Sequence, residues 1–221
     1  MKKSILLILL FSITSLYTYG QEFTAQEKSI VGILKAEGKT KSDIFALVNK
    51  WIAINYNSAQ NVIQMNDKES GDIIVKGINK ATYRNIMKDL YPSNKYLPNY
   101  NTLDFNHTLE INVKDDKYRV TYTLTNIIKP QELAGYNIDN QYNIIFDMID
   151  FTGLKQAKVN EYNLFIEDWY RKALIGKKKR AKAKELTVSI YEEMIKGTSE
   201  SMKATILSIE KSVNLKSNDD W

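Results

Sequence analysis

The stretch from Phe105 to Ile128 constrains the fold more than any other part of the chain. Phe105, His107, Leu109, Ile111 and Val113 alternate with Asn106, Thr108, Glu110, Asn112 and Lys114, the period of two expected of a strand with one buried face. After Asp115 and Asp116 the parity switches. Tyr118, Val120, Tyr122 and Leu124 become the apolar set, and Lys117, Arg119, Thr121 and Thr123 the polar one. With Asp115 and Asp116 as the two loop residues, Lys114 faces Lys117, Val113 faces Tyr118, Ile111 faces Val120 and Leu109 faces Tyr122. Both apolar rows then land on one face, and a slip of one residue destroys the match. The stretch predicts an antiparallel hairpin with one wet face and one covered face, and it specifies no chemistry.

The chain begins Met1, Lys2, Lys3 and runs apolar from Ile5 through Phe11 to Leu16, with small residues at Thr18 and Gly20. A basic start, a short apolar run and small residues before Gln21 read as a signal peptide over residues 1–20, which places the mature chain in the periplasm or outside the cell. No cysteine follows Gly20, so the thiol of a lipid anchor is missing, as are thiol nucleophiles, thiolate metal sites and disulfides. Stability must come from burial, and about 200 mature residues with 43% hydrophobic content suffice for one ordinary core. The net charge of +5 falls to +3 without Lys2 and Lys3, which leaves 29 basic against 26 acidic residues. That balance is too mild to argue for a nucleic-acid partner.

Ile30, Val31, Ile33 and Leu34 predict a first strand within 27–35, ended by Gly38. Thr40 and Asp43 form a variant capping box ahead of Ile44, Leu47, Val48, Trp51 and Ile52 at helical spacing, an amphipathic helix of about four turns. Trp51 sits in the apolar stripe and reads as core rather than as a stacking platform. Val62 to Met65 and Ile73 to Val75 read as two strands around a Gly71 turn, with Gly77 closing the second. Asp67, Glu69 and Asp72 lack the glycine and terminal glutamate of a calcium loop and read as a solvated turn. From Tyr83 to Asn101 prolines and asparagines predict a loop, and Tyr91, Tyr96 and Tyr100 on it are the candidate ligand contacts, able to stack on sugar faces or on a partner.

Val48, Lys50 and Trp51, the turn from Asp67 to Gly71, then Ile74, Lys76 and Gly77, and Lys117, Tyr118 and Arg119 together carry a family resemblance. The chain resembles, over about 40–128, the bacterial domain-of-unknown-function family 4468, whose fold is like that of the TATA-binding protein. The resemblance implies an α+β fold, a curved antiparallel sheet with helices on one face, in secreted or envelope proteins. It brings no activity and no catalytic residue, and the likeness to a DNA-binding fold does not transfer DNA binding. The family often has glycine where Asp116 stands, so a wider turn is expected here.

Beyond Pro130, Tyr142, Ile145, Phe146 and Ile149 predict a helix that covers the sheet, and Tyr162, Phe165, Ile166, Trp169 and Ala173 another. From Lys177 one or two more helices follow, with Leu186, Ile190 and Met194, then Met202, Ile206, Ile209 and Val213, on either side of Gly197. These stripes can bury against the domain or against a second copy of the chain. The expected organisation is a TBP-like domain over 21–152 and a C-terminal helical extension over 153–221. Lys177, Lys178, Lys179, Arg180, Lys182 and Lys184 form the one notable charge run, and contact with a membrane surface or polyanion is its functional reading. Glu185, Glu192 and Glu193 on the same element favour a plain wet face.

The single histidine, His107, has apolar-face parity, reads as a hydrogen-bonded core residue, and rules out multi-histidine metal sites. No serine elbow and no phosphate-cradling loop is present; Gly38, Lys39 and Thr40 lack the upstream glycine, Ile33 standing in its place. Paired carboxylates remain for glycan hydrolysis, but Asp115 and Asp116 occupy a hairpin tip without walls to exclude water. The sequence therefore points to a non-catalytic binding or structural module of the envelope that uses no cofactor, with an unknown protein or envelope component as partner and the C-terminal helices as contact surface. Self-association through those helices is the further expectation. A glycan-acting hydrolase and a membrane-surface or polyanion binder are the alternatives.

Overall fold

The computed structural model describes residues 22–129, 139–172 and 175–215. The expected signal peptide lies outside them, as do Pro130, Ala173 and the side chain of Trp169. The elements are β1 (Phe23–Ala25), β2 (Ser29–Lys35), α1 (Lys41–Asn55), α2 (Ala59–Val62), β3 (Ile63–Asp67), β4 (Asp72–Arg84) and α3 (Ile86–Leu90). They continue with β5 (Tyr100–Lys114), β6 (Lys117–Ile127), α4 (Asp139–Met148), α5 (Gln156–Lys172) and α6 (Lys177–Asn214). The strands form one antiparallel sheet in the order β1-β2-β6-β5-β4-β3, with helices packed on one face, which is the expected α+β architecture.

The central hairpin has the predicted register, with Val113 opposite Tyr118, Ile111 opposite Val120 and Leu109 opposite Tyr122. The turn is not widened. Asp116 itself adopts the left-handed conformation, at φ 63°, which aspartate tolerates better than most residues because its short side chain bonds locally. Asp116 Oδ1 accepts from the backbone N–H of Gly38 at 2.8 Å, and Asp115 Oδ1 from that of Lys41, the first residue of α1, at 2.7 Å. The hairpin tip thus supplies carboxylate at a helix N-terminus, where the dipole favours it. The predicted capping box of Thr40 and Asp43 is formed on the same turn.

Three expectations about the sheet and its flanks are corrected. The strand predicted at 27–35 is the second, because the three-residue β1 is too short to show a period. Gly77 does not end β4, which runs on to Arg84 paired with β5. The predicted loop from Tyr83 to Asn101 contains α3, capped by Asn85 Oδ1 accepting from Met87 N, and the ends of two strands. In β4 the partner strand β3 stops at Val75, leaving the later half as a sheet edge.

That edge is covered by α6, which is one uninterrupted helix rather than two. Ser201 Oγ donates to Lys80 O at 3.0 Å, and Gly197 lies so close to the strand that a Cβ there would sit 2.8 Å from Thr82 O. Gly197 is a close-approach residue, and the helix passes through it unbroken. Alanine is the better helix former by about 1 kcal/mol, yet Gly197→Ala pushes a methyl into a backbone carbonyl. We expect that variant to lose about 1–3 kcal/mol in a urea titration, and a gain would show that the helix stands off the sheet.

The stripe Met202, Ile206, Ile209 and Val213 is fully buried and belongs to the same core as Ile30, Leu34, Val48, Ile111 and Tyr122. Of the two partners foreseen for this stripe, it takes its own sheet. The core therefore runs across the boundary expected at residue 152. Lys28, in the β1–β2 turn, donates to the carbonyls of Phe146 and Ile149 at the end of α4, a cation on the orphan acceptors of a helix C-terminus.

Candidate functional site

The last turn of α1 and the C-terminal half of α6 flank a cleft over the sheet. Tyr56, the C-cap of α1, leaves the helix in extended conformation, and its hydroxyl lies 3.0 Å from Nε2 of His107. His107 faces the covered side of β5, as its parity predicts, and pairs with Gly77. A Cβ on Gly77 would come within 2.6 Å of Tyr56 Cε1 and 2.9 Å of His107 Cε1, so only glycine leaves room for this pair. The Tyr122 ring packs 4.6 Å from the imidazole, and its hydroxyl accepts from Asn79 Nδ2 at 2.9 Å. The same amide reaches Thr205 Oγ1 on α6 at 3.3 Å, and Trp51 Nε1 donates to Ser208 Oγ at 3.0 Å.

The cleft between the two helices has a volume of about 360 Å³ and is lined by Trp51, Tyr56, His107, Tyr122, Thr205 and Ser208 together with Asn55, Ile78, Ser201 and Ala204. A wider groove of about 890 Å³ shares Asn55, Tyr56, Ile78 and His107 and continues along Asn57, Ser58, Lys76, Asn106, Thr125 and Asn126. Thr125 is the extra residue of a bulge, since His107 pairs with Leu124 and Asn106 with Asn126.

Burial controls the electrostatics. His107 is 3% exposed, and desolvation of its cation lowers its pKa to about 4. Burial pushes the Tyr56 hydroxyl up to about 12 and that of Tyr122 up as well. At neutral pH all three are uncharged. They present rings and hydrogen-bonding groups in uncharged form. His107 Nδ1 is buried and has no hydrogen-bond partner among the described residues, an arrangement that costs about 1–3 kcal/mol when nothing satisfies it.

The residues singled out in the sequence lie elsewhere. Tyr91 is half-buried under the ammonium of Lys179, 3.3 Å from the ring centroid, whereas Tyr96 and Tyr100 are exposed, at 91% and 64%. Asp115 and Asp116 accept backbone N–H groups, as described. Asp67 accepts from Glu69 N and Ser70 N and so holds its own turn, and Asp72 accepts from Asn112 Nδ2 on the neighbouring β5. Among the described residues no group of three or more His, Asp or Glu could hold a metal ion. Of the basic run, Lys182 donates to Asp89 O at 3.0 Å and Lys184 pairs with Glu167 at 3.5 Å, so with Lys179 half of it ties the start of α6 to α3 and α5. Trp51 is core, as read, but its indole N–H faces the cleft partner Ser208.

A second cavity, of about 180 Å³, lies where the end of the sheet meets α3 to α6. Tyr83, Tyr142, Tyr162, Tyr170 and Tyr191 line it, and the Tyr162 and Tyr191 rings pack 5.5 Å apart. Burial raises the hydroxyls of Tyr83 and Tyr170 to about 12. Arg84 borders this cavity and is held by Asp89 and Glu193.

One six-stranded antiparallel sheet with its helices on one face, and grooves lined mainly by aromatic and uncharged polar groups, define an α+β domain with the architecture expected from the sequence. Residues 32–128 match the family model described as "Domain of unknown function (DUF4468) with TBP-like fold", which bears out the resemblance and extends it back into β2. Two solved structures are similar. A DUF4468 family protein from Bacteroides ovatus has 12% sequence identity and a TM-score of 0.48, the match covering 90% of this chain and 92% of that one. A TBP-like protein from Parabacteroides distasonis also has 12% identity, with a TM-score of 0.41 and coverage of 82% and 92%. No curated protein matches.

Proposed function

We propose that the protein is a non-catalytic binding module of the bacterial envelope, exported by residues 1–20 and taking its ligand in the cleft between α1 and α6. The observation that supports this reading is the cleft itself: aromatic rings and neutral polar groups converge there, around the Tyr56–His107 pair. The carboxylate pair that the sequence offered for a hydrolase lies away from this cleft. Asp115 and Asp116 bond backbone N–H groups at the hairpin tip, and Glu110 is exposed on the opposite, wet face of β5.

Two measurements on cells expressing a C-terminally tagged chain test the proposal. Fractionation is expected to recover protein beginning at Gln21 in the envelope or medium, and a cytosolic product starting at Met1 would remove the export reading. The purified protein is expected to leave envelope polysaccharides intact. Turnover above background that Asp115→Asn or Glu110→Gln abolishes would replace the binding module with the hydrolase alternative.

A further inference from the structure

We propose that the adjoining grooves around His107 bind a neutral carbohydrate, a specification that rests on reading the protein as a binding module. A sugar offers hydroxyls that donate and accept, C–H faces that pack on rings, and no charge. The groove walls have the matching chemistry. The amides of Asn55, Asn57 and Asn126 and the hydroxyls of Ser58 and Thr125 are groups of both donor and acceptor character. Tyr56 adds a ring between the two grooves.

Charge excludes the competing ligand classes. Among the described residues, Lys76 is the one charged side chain that lines the grooves. A phosphate or carboxylate ligand would call for a guanidinium or a converging set of cations, and a cationic ligand for carboxylates. A wholly apolar ligand would leave the amides and hydroxyls desolvated and unpaired.

The test uses the mature chain with malto-, cello-, xylo-, manno- and chito-oligosaccharides, and polygalacturonate as the charged comparison. Binding is followed by calorimetry and by the ¹⁵N signals of the single histidine. Ala204, exposed on α6 at the cleft wall, is changed to tryptophan to fill the space from outside the core. At least one neutral oligosaccharide is expected to saturate the protein and shift the histidine signals. Ala204→Trp is expected to weaken that binding at least tenfold with an unchanged melting curve. Saturation by none of them at millimolar concentration, or binding indifferent to Ala204→Trp, overturns the proposal. Binding of polygalacturonate alone, lost in Ala204→Trp, overturns the neutral-sugar assignment and leaves the binding module standing.

Discussion

Ile206→Ala is expected to lower the stability of the whole protein by about 2–5 kcal/mol, the range for deleting a large aliphatic side chain from a packed core. Ile206 is fully buried, and its Cγ2 lies 3.1 Å from the position a Cβ on Gly32 would take, so helix and strand are too close to collapse far into the void. The loss should appear as a lower urea midpoint with unchanged slope, since sheet and helix unfold together. The same argument predicts that a chain ending at Gly153 lacks a cooperative transition. Without α6 the buried side chains of Ile30, Leu34, Val48 and Tyr122 lose the apolar stripe that covers them. A truncated chain that melts cooperatively would mean that the sheet domain is complete without its C-terminal helices.

The second large effect is on pH dependence. His107 titrates at about 4 in the folded protein against 6.5 in the unfolded chain, so between these values the unfolded state binds more protons. Stability is therefore constant above pH 6.5 and falls as the pH drops through the window, by about 3 kcal/mol at its lower end. Asp43, Asp67, Asp72, Asp150 and Asp168 are held below their usual value of 3.8 by hydrogen bonds, so their contributions are lost only below this window. Glu210, raised by burial, acts in the opposite direction and offsets part of the slope. Urea titrations from pH 7 to pH 4 should show the decline in the native sequence and its absence in His107→Gln. An equal decline in both would assign the effect to other groups.

The hairpin was legible because its apolar parity reverses across two aspartates, and only one register puts Val113, Ile111 and Leu109 opposite Tyr118, Val120 and Tyr122. α1 was legible from Thr40 and Asp43, which bond each other's backbone as the spacing implies. Gly77 was misread as a terminator, and Gly197 left one helix and two both open. Each is a contact point instead, one under the Tyr56–His107 pair and one against Thr82 O, and no local sequence signal distinguishes a break from a close approach.

The cleft was not legible. Tyr56, His107, Asn79, Tyr122 and Thr205 come from five elements or their ends, and each by itself reads as core or turn. The one available signal was a lone histidine with apolar parity, and its glycine partner could be found only once the β4–β5 register was known. Tyr91, Tyr96 and Tyr100 stood out because prolines and asparagines surround them, but that composition reports a loop and not a shared site.

The most direct test of the site is a ¹⁵N NMR titration of the imidazole, which is unambiguous because the chain has a single histidine. The account predicts a ring whose titration midpoint lies at about 4, with a tautomer ratio fixed by the Tyr56 hydroxyl and altered in Tyr56→Phe. A midpoint near the ordinary value of 6.5, insensitive to Tyr56→Phe, would put the ring in water and contradict a site built on a buried Tyr56–His107 pair.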